Sequence, residues 1–252
     1  MTLTLRYILF CSVILTMACR EKKRYNLPRA LTPEEINEYF PRSEPLVISP
    51  FETAMQEQGL LDLQELDPEI RVELKYSSTD NFLERDLYGT LELAYLQPEP
   101  ARALVKAGRM LRRDNPHLRL LIYDAARPLR VQHLLWEKLD SLPEEERKKY
   151  VADPEETSIH NYGCAVDLTL FDLETGQPVD MGTSFDYFGE LAYPRLERQM
   201  LNEGKLSLKQ LNNRILLRSV LRDVGFTPIT TEWWHFNFYS RRTAELKYGI
   251  IE

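Results

Sequence analysis

The sequence places one carboxylate, Asp167, inside a run of apolar, strand-forming residues, CAVDLTL, with His160 seven residues before it. A carboxylate is seldom left in such a run unless a partner offsets the cost of burying its charge. Side chains alternate between the two faces of a strand, so Asp167 points away from Val166 and Leu168. One face of the strand is therefore available for packing, and the other presents a carboxylate to a partner.

A second stretch near the C-terminus, WWHFNFY, has the same arrangement. As a strand it places Trp234, Phe236 and Phe238 on one face and His235, Asn237 and Tyr239 on the opposite one. If the two strands pair in one sheet, Asp167 and His235 come together, and His160 approaches from the loop before the first strand. Two imidazoles and one carboxylate, with a fourth position left for water, form the ligand set of a catalytic zinc site.

Glu232 lies three residues before His235, in EWWH. In an unbroken strand this odd spacing sends the two side chains to opposite faces, so the hypothesis that Glu232 reaches the metal site predicts a turn or bulge between 232 and 235. Taken singly, His160 and Asp167 are equally well interpreted as hydrogen-bonding residues, and Arg127 as a surface ion-pairing arginine. Only their combination, in a chain with 4 histidines, favours a metal site.

The candidate residues lie on or next to predicted helices and strands. Along the chain, helices and strands do not alternate strictly with one another. IRVELKY alternates as a half-buried strand, whereas LRLLIYDA is apolar on both faces and hence central. Ser207 and Gln210 form a capping box that begins the clearest helix, which Gly225 ends. We expect an α+β fold, a single domain with a central, mainly antiparallel sheet flanked by helices. The predicted strands are 70–76, 118–125, 164–171 and 233–239, and the predicted helices are 98–113, 127–142 and 207–224.

Five motifs together resemble those of a known family. SIHNYGCAVDLTL resembles the S-x-H-x-x-G-x-A-x-D motif of the zinc D-alanyl-D-alanine dipeptidases, the VanX-type enzymes. EWWH is similar to the E-W-W-H of that family, and DAARPLR to its arginine-bearing strand end. KYSSTDNF and DMGTSFD also match characteristic stretches. The motifs occur in the family's order and cover residues 75–235, which is most of the globular part.

The resemblance implies roles for eight residues and a hedgehog/D,D-peptidase-like fold. One zinc ion per chain would be bound by His160, Asp167 and His235. Glu232 would be the general base, and Arg127 would stabilise the oxyanion formed on the scissile carbonyl. The family positions that line the substrate pocket are Tyr76, Ser158 and Asp186. Of these, Asp186 would bind the free ammonium group of the substrate.

The function implied is zinc-dependent hydrolysis of D-alanyl-D-alanine or similar D,D-dipeptides in cell-wall peptide turnover. Two alternatives remain open from the sequence. The first is a zinc D,D- or L,D-carboxypeptidase that acts on longer peptidoglycan stem peptides, because such enzymes share the H-x6-D ligands. The second is a non-catalytic zinc-binding domain, although a purely structural zinc would not require Glu232 and Arg127.

Composition limits the other classes of function. The chain has 252 residues and a net charge of −7, which argues against nucleic acid as a partner. It contains neither a P-loop nor a dinucleotide fingerprint. A small peptide is the expected partner.

The N-terminus is a separate segment. An apolar run too short to span a bilayer ends in LTMAC and is followed at once by charged residues. This resembles a bacterial lipoprotein signal; plain export and an uncleaved anchor are the alternatives. We expect an export signal at 1–18, lipidation of Cys19, a proline-rich tether at 19–50 and a zinc dipeptidase domain at 51–252. The protein would be periplasmic or cell-surface and anchored to a bacterial membrane, unlike the cytoplasmic members of the family.

Overall fold

The computed structural model describes residues 50–148 and 150–252. Strand β5 (Ala165–Asp172) lies at the centre of a sheet and pairs antiparallel on one side with β4 (Leu118–Asp124) and on the other with β8 (His235–Asn237). The short strands β6 (Gln177–Pro178) and β7 (Thr227–Pro228) add antiparallel pairs to β5 and β8. Only β2 (Arg71–Val72), beside β4, pairs parallel within the described residues. The predicted α+β class with a mainly antiparallel sheet is confirmed.

Strand β5 is buried on both faces, so the carboxylate of Asp167 has little contact with solvent and needs partners that offset the cost of burying its charge. Val166, Leu168 and Leu170 are fully buried in the main hydrophobic core. Asp167 and Thr169 are almost as inaccessible on the opposite face, with 3% and 1% exposure. Strand parity therefore separates the packing face from a polar face, as the sequence predicted.

The helices pack around this sheet, and the three longest match the predicted ones. Helix α3 (Pro98–Asp114) begins with proline at its first position and lies against β4, burying its apolar stripe. Helix α7 (Leu208–Arg222) begins with the predicted capping box of Ser207 and Gln210. A second, two-stranded sheet is formed by β1 (Leu61–Asp62) and β3 (Tyr95–Leu96). The remaining α-helices are α1 (Pro50–Glu57), α2 (Leu63–Leu66), α4 (Leu129–Lys138), α5 (Glu144–Arg147), α6 (Glu197–Asn202) and α8 (Arg241–Lys247).

Two predicted strands are shorter than expected. The strand predicted at 70–76 ends at Val72, and a 3-10 helix (Lys75–Ser77) follows, because the carbonyl oxygen of Tyr76 accepts hydrogen bonds from a returning loop rather than from a strand. The strand predicted at 233–239 is limited to the three residues of β8, because the chain bends before it and after it. One residue lost from each predicted strand, Tyr76 and Trp234, lines the cavity described below.

The predicted signal (1–18), Cys19 and the tether up to residue 49 lie outside the described residues. Pro50, the last tether residue by prediction, is the first residue of α1, which anchors the described part through the fully buried Met55. Among residues 50–148 and 150–252, none of the helices has both the length and the apolar character needed to cross a bilayer.

Candidate active site

Three potential metal ligands meet where β5 and β8 lie side by side. Asp167 and His235 are direct partners in the strand register, and His160 enters from a 3-10 helix (Ile159–Tyr162). His160 Nε2 lies 3.2 Å from His235 Nδ1 and 3.4 Å from Asp167 Oδ2. His235 Nδ1 lies 2.9 Å from Asp167 Oδ1. The structure thus brings together the three residues that parity and spacing selected.

The separations between these atoms fit a tetrahedral metal ion. Zinc bonds to nitrogen and oxygen are about 2.0–2.2 Å long, so neighbouring ligands of a zinc tetrahedron lie roughly 3.3 Å apart. The two imidazole nitrogens are 3.2 Å apart, and each lies 2.9 or 3.4 Å from one of the two carboxylate oxygens of Asp167, which is close to that value. His160 and Asp167 are buried, whereas the side chain of His235 is 12% exposed. One side of the candidate metal centre is therefore open.

Hydrogen bonds behind the two imidazoles determine which ring nitrogen faces the centre. His160 Nδ1 donates to the carbonyl oxygen of Ala125 at 2.6 Å, which leaves Nε2 as a lone-pair donor. His235 Nε2 lies 2.9 Å from Asn237 Oδ1, which assigns the ring proton to Nε2 and leaves Nδ1 free. Two bare nitrogens and a carboxylate then face one another, an arrangement that a cation stabilises and that outer hydrogen bonds of this kind orient.

The charge of Asp167 suits the same role. Burial by itself would raise its pKa, but the neighbouring His160 and His235 hold the pKa of Asp167 well below its usual range. Metal ligation requires the deprotonated carboxylate. Asp167, the third candidate ligand, is therefore in the form that metal binding requires at neutral pH.

Glu232 reaches the centre because the chain is irregular in front of β8. Bends at Trp233 and Trp234 bring Glu232 Oε2 to 4.0 Å from His235 Nδ1, which confirms the predicted break in the strand. Burial raises the pKa of Glu232 to about 8, and the negative charges of Asp167 and Asp186 add to this while His235 opposes it. A carboxyl group with a pKa close to neutrality can both accept and return a proton.

Arg127 is 7% exposed, which excludes its interpretation as a surface ion-pairing residue. Its Nε and Nη2 both donate to Asp124 Oδ2, at 2.8 and 2.5 Å, and its Nη1 donates to Gln132 Oε1 at 2.8 Å. Burial opposes the charge, but Asp124 raises the pKa of Arg127 well above its ordinary value, so the guanidinium is cationic. The guanidinium lies 3.7 Å from Asp167 Oδ2 and so is close to the candidate metal centre.

Tyr76 and Asp186 form a hydrogen-bonded pair in the same cavity. The Tyr76 hydroxyl donates to Asp186 Oδ2 at 3.0 Å. Burial, and after it the charge of Asp167, raises the pKa of Asp186 to about 8. Asp186 also has φ +55°, a left-handed conformation that is unusual for a residue with a side chain. Backbone strain of this kind is found at functional sites, where the surrounding structure maintains it.

Ser158 lies in the cavity, but the contacts it makes are structural. Its Oγ accepts a hydrogen bond from the backbone N–H of His160 at 3.4 Å, and its own N–H donates to Asn161 Oδ1 at 2.6 Å. These bonds cap the 3-10 helix that carries His160. The preceding residue, Thr157, has φ +61°.

The predicted residues share one cavity of about 310 Å³. This is the small end of the range of roughly 300–1,000 Å³ that is typical of small-molecule sites. A ligand of a few residues at most fits this volume. The eight predicted residues that line it are Tyr76, Arg127, Ser158, His160, Asp167, Asp186, Glu232 and His235.

Three buried or half-buried polar residues that support the site were not predicted. Asp124 and Gln132 hold Arg127, and Asn237 holds His235. A signal existed for two of them: Asn237 shares the strand face of His235, and Asp124 ends the central strand three residues before Arg127. Gln132 gives no such signal, because its partner is fixed by how α4 packs.

Comparison with known proteins agrees with this geometry. Residues 56–247 match the Peptidase_M15 family, described as D-ala-D-ala dipeptidase. The D-alanyl-D-alanine dipeptidase of Escherichia coli (strain K12) is 34% identical over 177 residues, which cover 70% of this chain and 83% of that protein. The D-alanyl-D-alanine dipeptidase of Enterococcus faecium is 30% identical over 203 residues, which cover 71% of this chain and 91% of that protein.

Solved structures of lower similarity also match. The LdcB LD-carboxypeptidase is 17% identical with a TM-score of 0.37, over 60% of this chain and 63% of that chain. The vancomycin resistance D,D-pentapeptidase VanY, solved in complex with Zn(II), is 16% identical with a TM-score of 0.34, over 61% of this chain and 78% of that chain. The family match extends over well more than half of the sequence, and the curated relatives are covered over most of their own length. The chain therefore belongs to the D-Ala-D-Ala dipeptidase family of metallopeptidases.

Proposed function

We propose that this protein is a zinc-dependent dipeptidase that hydrolyses D-alanyl-D-alanine or similar D,D-dipeptides, with one zinc ion per chain. The observation that carries the proposal is the pair of Tyr76 and Asp186 in the same 310 Å³ cavity as the candidate metal centre. A carboxyl group in a small cavity favours a cationic partner, and a peptide with a free amino terminus supplies one. The names of the curated relatives support the same substrate.

The ligand set supports zinc. Two imidazole nitrogens and one carboxylate oxygen at tetrahedral spacing are typical of catalytic zinc sites, which keep a fourth position open. His160, Asp167 and His235 would hold the ion. A bound zinc ion supplies Lewis acidity, which polarises a carbonyl group and acidifies water.

Glu232 is the proposed general base. Its carboxylate accepts a proton from the attacking water and afterwards donates that proton to the nitrogen of the leaving D-alanine. Glu232 therefore returns to its starting protonation state after each cycle. The distance of 4.0 Å between Glu232 Oε2 and Nδ1 of His235, a candidate metal ligand, supports this role. General acid–base catalysis by such a group typically contributes a factor of about 10²–10⁴.

Arg127 is the proposed oxyanion-stabilising residue. Negative charge develops on the carbonyl oxygen when water attacks, and a fixed guanidinium nearby stabilises that charge. Asp124 and Gln132, which are not among the residues that line the cavity, hold the guanidinium, so little reorganisation is needed during the reaction. Removal of a preorganised group of this kind costs about 3–4 kcal/mol of transition-state stabilisation.

Asp186 is the proposed acceptor for the substrate ammonium group, with Tyr76 fixing its orientation. An ammonium group beside Asp186 would favour the ionised carboxylate and lower its pKa from the value of about 8 in the ligand-free protein. Substrates whose amino group is acylated lose this ion pair. Selection of short, free peptides follows from that loss.

We further propose that the enzyme is exported, is lipid-anchored through Cys19, and acts on wall-derived D,D-dipeptides at the cell surface or in the periplasm. Support comes from the sequence LTMAC and the charged residues after it. Labelled palmitate should be incorporated into the full chain and not into Cys19→Ala. Equal labelling of the two chains would contradict the proposed anchor.

The decisive test combines metal analysis with hydrolysis assays on the purified protein. We expect one zinc ion per chain, hydrolysis of D-Ala-D-Ala, and none of L-Ala-L-Ala. Cleavage of only a pentapeptide stem would instead identify a carboxypeptidase. Full zinc occupancy without hydrolysis of any D-alanyl peptide would identify a non-catalytic zinc-binding domain.

A further inference from the structure

Three aromatic side chains from three separate loops meet at the mouth of the cavity. The rings of Phe82 and Phe188 pack edge to face with their centroids 4.9 Å apart, and the rings of Tyr150 and Phe188 do the same at 4.7 Å. All three residues line the cavity that contains the candidate metal centre. We call Phe82, Tyr150 and Phe188 the aromatic bridge; none of them has a role in the chemistry proposed above.

Hydrogen bonds hold two of the three loops in place. The side-chain amide of Asn81 donates to the carbonyl oxygens of Lys75, Ser78 and Arg85, which closes the turn that presents Phe82. The loop that carries Tyr150 is held by a hydrogen bond that Gln132 Nε2 donates to the carbonyl oxygen of Ala152 at 2.7 Å. The outer rings of the bridge therefore have fixed supports.

Phe188, the central ring of the bridge, is exposed to an extent that packing alone does not explain. It is 42% exposed although it contacts both other rings. Large exposed apolar groups at a cavity mouth are characteristic of surfaces that meet a ligand. The ring of Phe188 therefore offers an apolar surface to a ligand in this cavity.

The bridge lies close to the end of the cavity where Asp186 is found. Phe188 follows Asp186 by two residues, and two residues span at most about 7 Å. A peptide whose ammonium group pairs with Asp186 would carry any additional residue outward from that nitrogen. Each added residue extends a chain by roughly 3.3–3.6 Å, so an extension of one or two residues meets the bridge.

We propose that the aromatic bridge is the steric element that restricts this site to dipeptides, by blocking the space that a residue on the amino side of D-Ala-D-Ala would occupy. This inference rests on the proposed dipeptidase function and adds a second determinant to it. Asp186 selects for the positive charge of the substrate ammonium group, whereas the aromatic bridge excludes peptides that are longer on the amino side. The two contributions can be separated because a tripeptide retains an ammonium group but displaces it by one residue.

The test compares the kcat/KM for D-Ala-D-Ala with that for L-Lys-D-Ala-D-Ala, both cleaved at the D-Ala–D-Ala bond. We expect the unmodified protein to prefer the dipeptide strongly. Phe188→Ala, and Phe82→Ala combined with it, should reduce the preference at least about tenfold by raising kcat/KM for the tripeptide, in line with the selectivity of steric pockets. Phe188→Tyr keeps the ring and should keep the preference.

Two control variants separate this effect from others. Asp186→Asn removes the charge but leaves the bridge, so it should lower dipeptide hydrolysis without raising tripeptide hydrolysis. Leu246→Ala changes an apolar side chain that is 78% exposed and is not among the residues lining the cavity, and should leave the preference as it is.

The outcomes that overturn the inference are distinct from those that overturn the proposed function. An unmodified protein that cleaves both peptides equally well, or bridge variants that retain the parent's preference, would refute the bridge and leave the dipeptidase function standing. An unmodified protein that cleaves neither peptide would refute the proposed function, and with it the inference that depends on it.

Discussion

Replacement of Asp186 by asparagine should stabilise the metal-free protein at alkaline pH, although it removes a proposed substrate contact. Burial raises the pKa of Asp186 to about 8, compared with about 3.9 for an aspartate in an unfolded chain. At about 1.36 kcal/mol per pKa unit, this difference corresponds to an upper bound of ~6 kcal/mol. Asp186 is only partly buried, so solvent will screen the effect, and we expect roughly half of that value.

The direction of the pH dependence follows from proton linkage. Below about pH 4 the carboxyl group is protonated in both the folded and the unfolded state, so it contributes no difference. Between about pH 4 and pH 8 the folded protein keeps a proton that the unfolded chain releases, and the free energy of unfolding therefore falls as the pH rises. Asparagine cannot ionise, and its carbonyl oxygen can still accept the hydrogen bond from Tyr76. It also tolerates the left-handed backbone at φ +55°.

The assay is urea denaturation of chelator-treated parent protein and Asp186→Asn at pH 4 and at pH 8.5. The variant should match the parent at pH 4 and be more stable by about 2–3 kcal/mol at pH 8.5. Glu232, whose pKa is also raised to about 8, is present in both proteins, but the charge of Asp186 is one cause of that shift. Asp186→Asn therefore also lowers the pKa of Glu232, which acts in the same direction as the expected gain in stability at pH 8.5. An identical pH dependence for the two proteins would show that Asp186 is ionised at no free-energy cost and would contradict the argument.

The remaining predictions concern the metal centre and its supports. Glu232→Gln should keep full zinc occupancy in metal analysis while kcat falls by about 10²–10⁴, and undiminished turnover would refute its role as general base. His160→Ala should lose the metal, so stoichiometric zinc in that variant would count against ligation. Asn237→Ala should weaken zinc binding about 10–100-fold in a chelator competition titration, because the outer hydrogen bond of His235 is lost; Asn237→Asp, which keeps an acceptor, is the matched control. Asp124→Asn should lower the free energy of unfolding by about 3–5 kcal/mol in urea denaturation, because the buried guanidinium of Arg127 loses its counter-charge; a loss below 1 kcal/mol would argue against that ion pair.

The positions of the candidate site residues could be predicted because the signals for them are local. Strand parity placed Asp167 and His235 on the polar faces of their strands before any pairing was known, and the odd spacing of Glu232 required the bend that the structure contains. Parity and spacing are properties of the backbone that hold in any sheet. The longest helices were predictable for the same reason, since the capping box at Ser207 acts within a single turn.

The supports of the site depended on contacts between residues distant in the chain. Whether Arg127 was a surface residue or a buried cation was open in the sequence, and burial beside Asp124 and Gln132 decided it. The lengths of the outer strands were also decided by tertiary contacts, since residues near Tyr76 and Trp234 leave the sheet to build the cavity.

The sequence by itself therefore determined which residues could bind a metal ion and move a proton, because residue type and alternation fix chemistry and strand face. The tertiary structure alone decided how the site is closed and tuned. The aromatic bridge joins Phe82, Tyr150 and Phe188 from three loops with no shared periodicity, and the raised pKa values of Asp186 and Glu232 come from burial that no single segment provides. Loop packing and desolvation depend on how distant segments pack in the folded protein, so residue type and alternation along the sequence do not predict them.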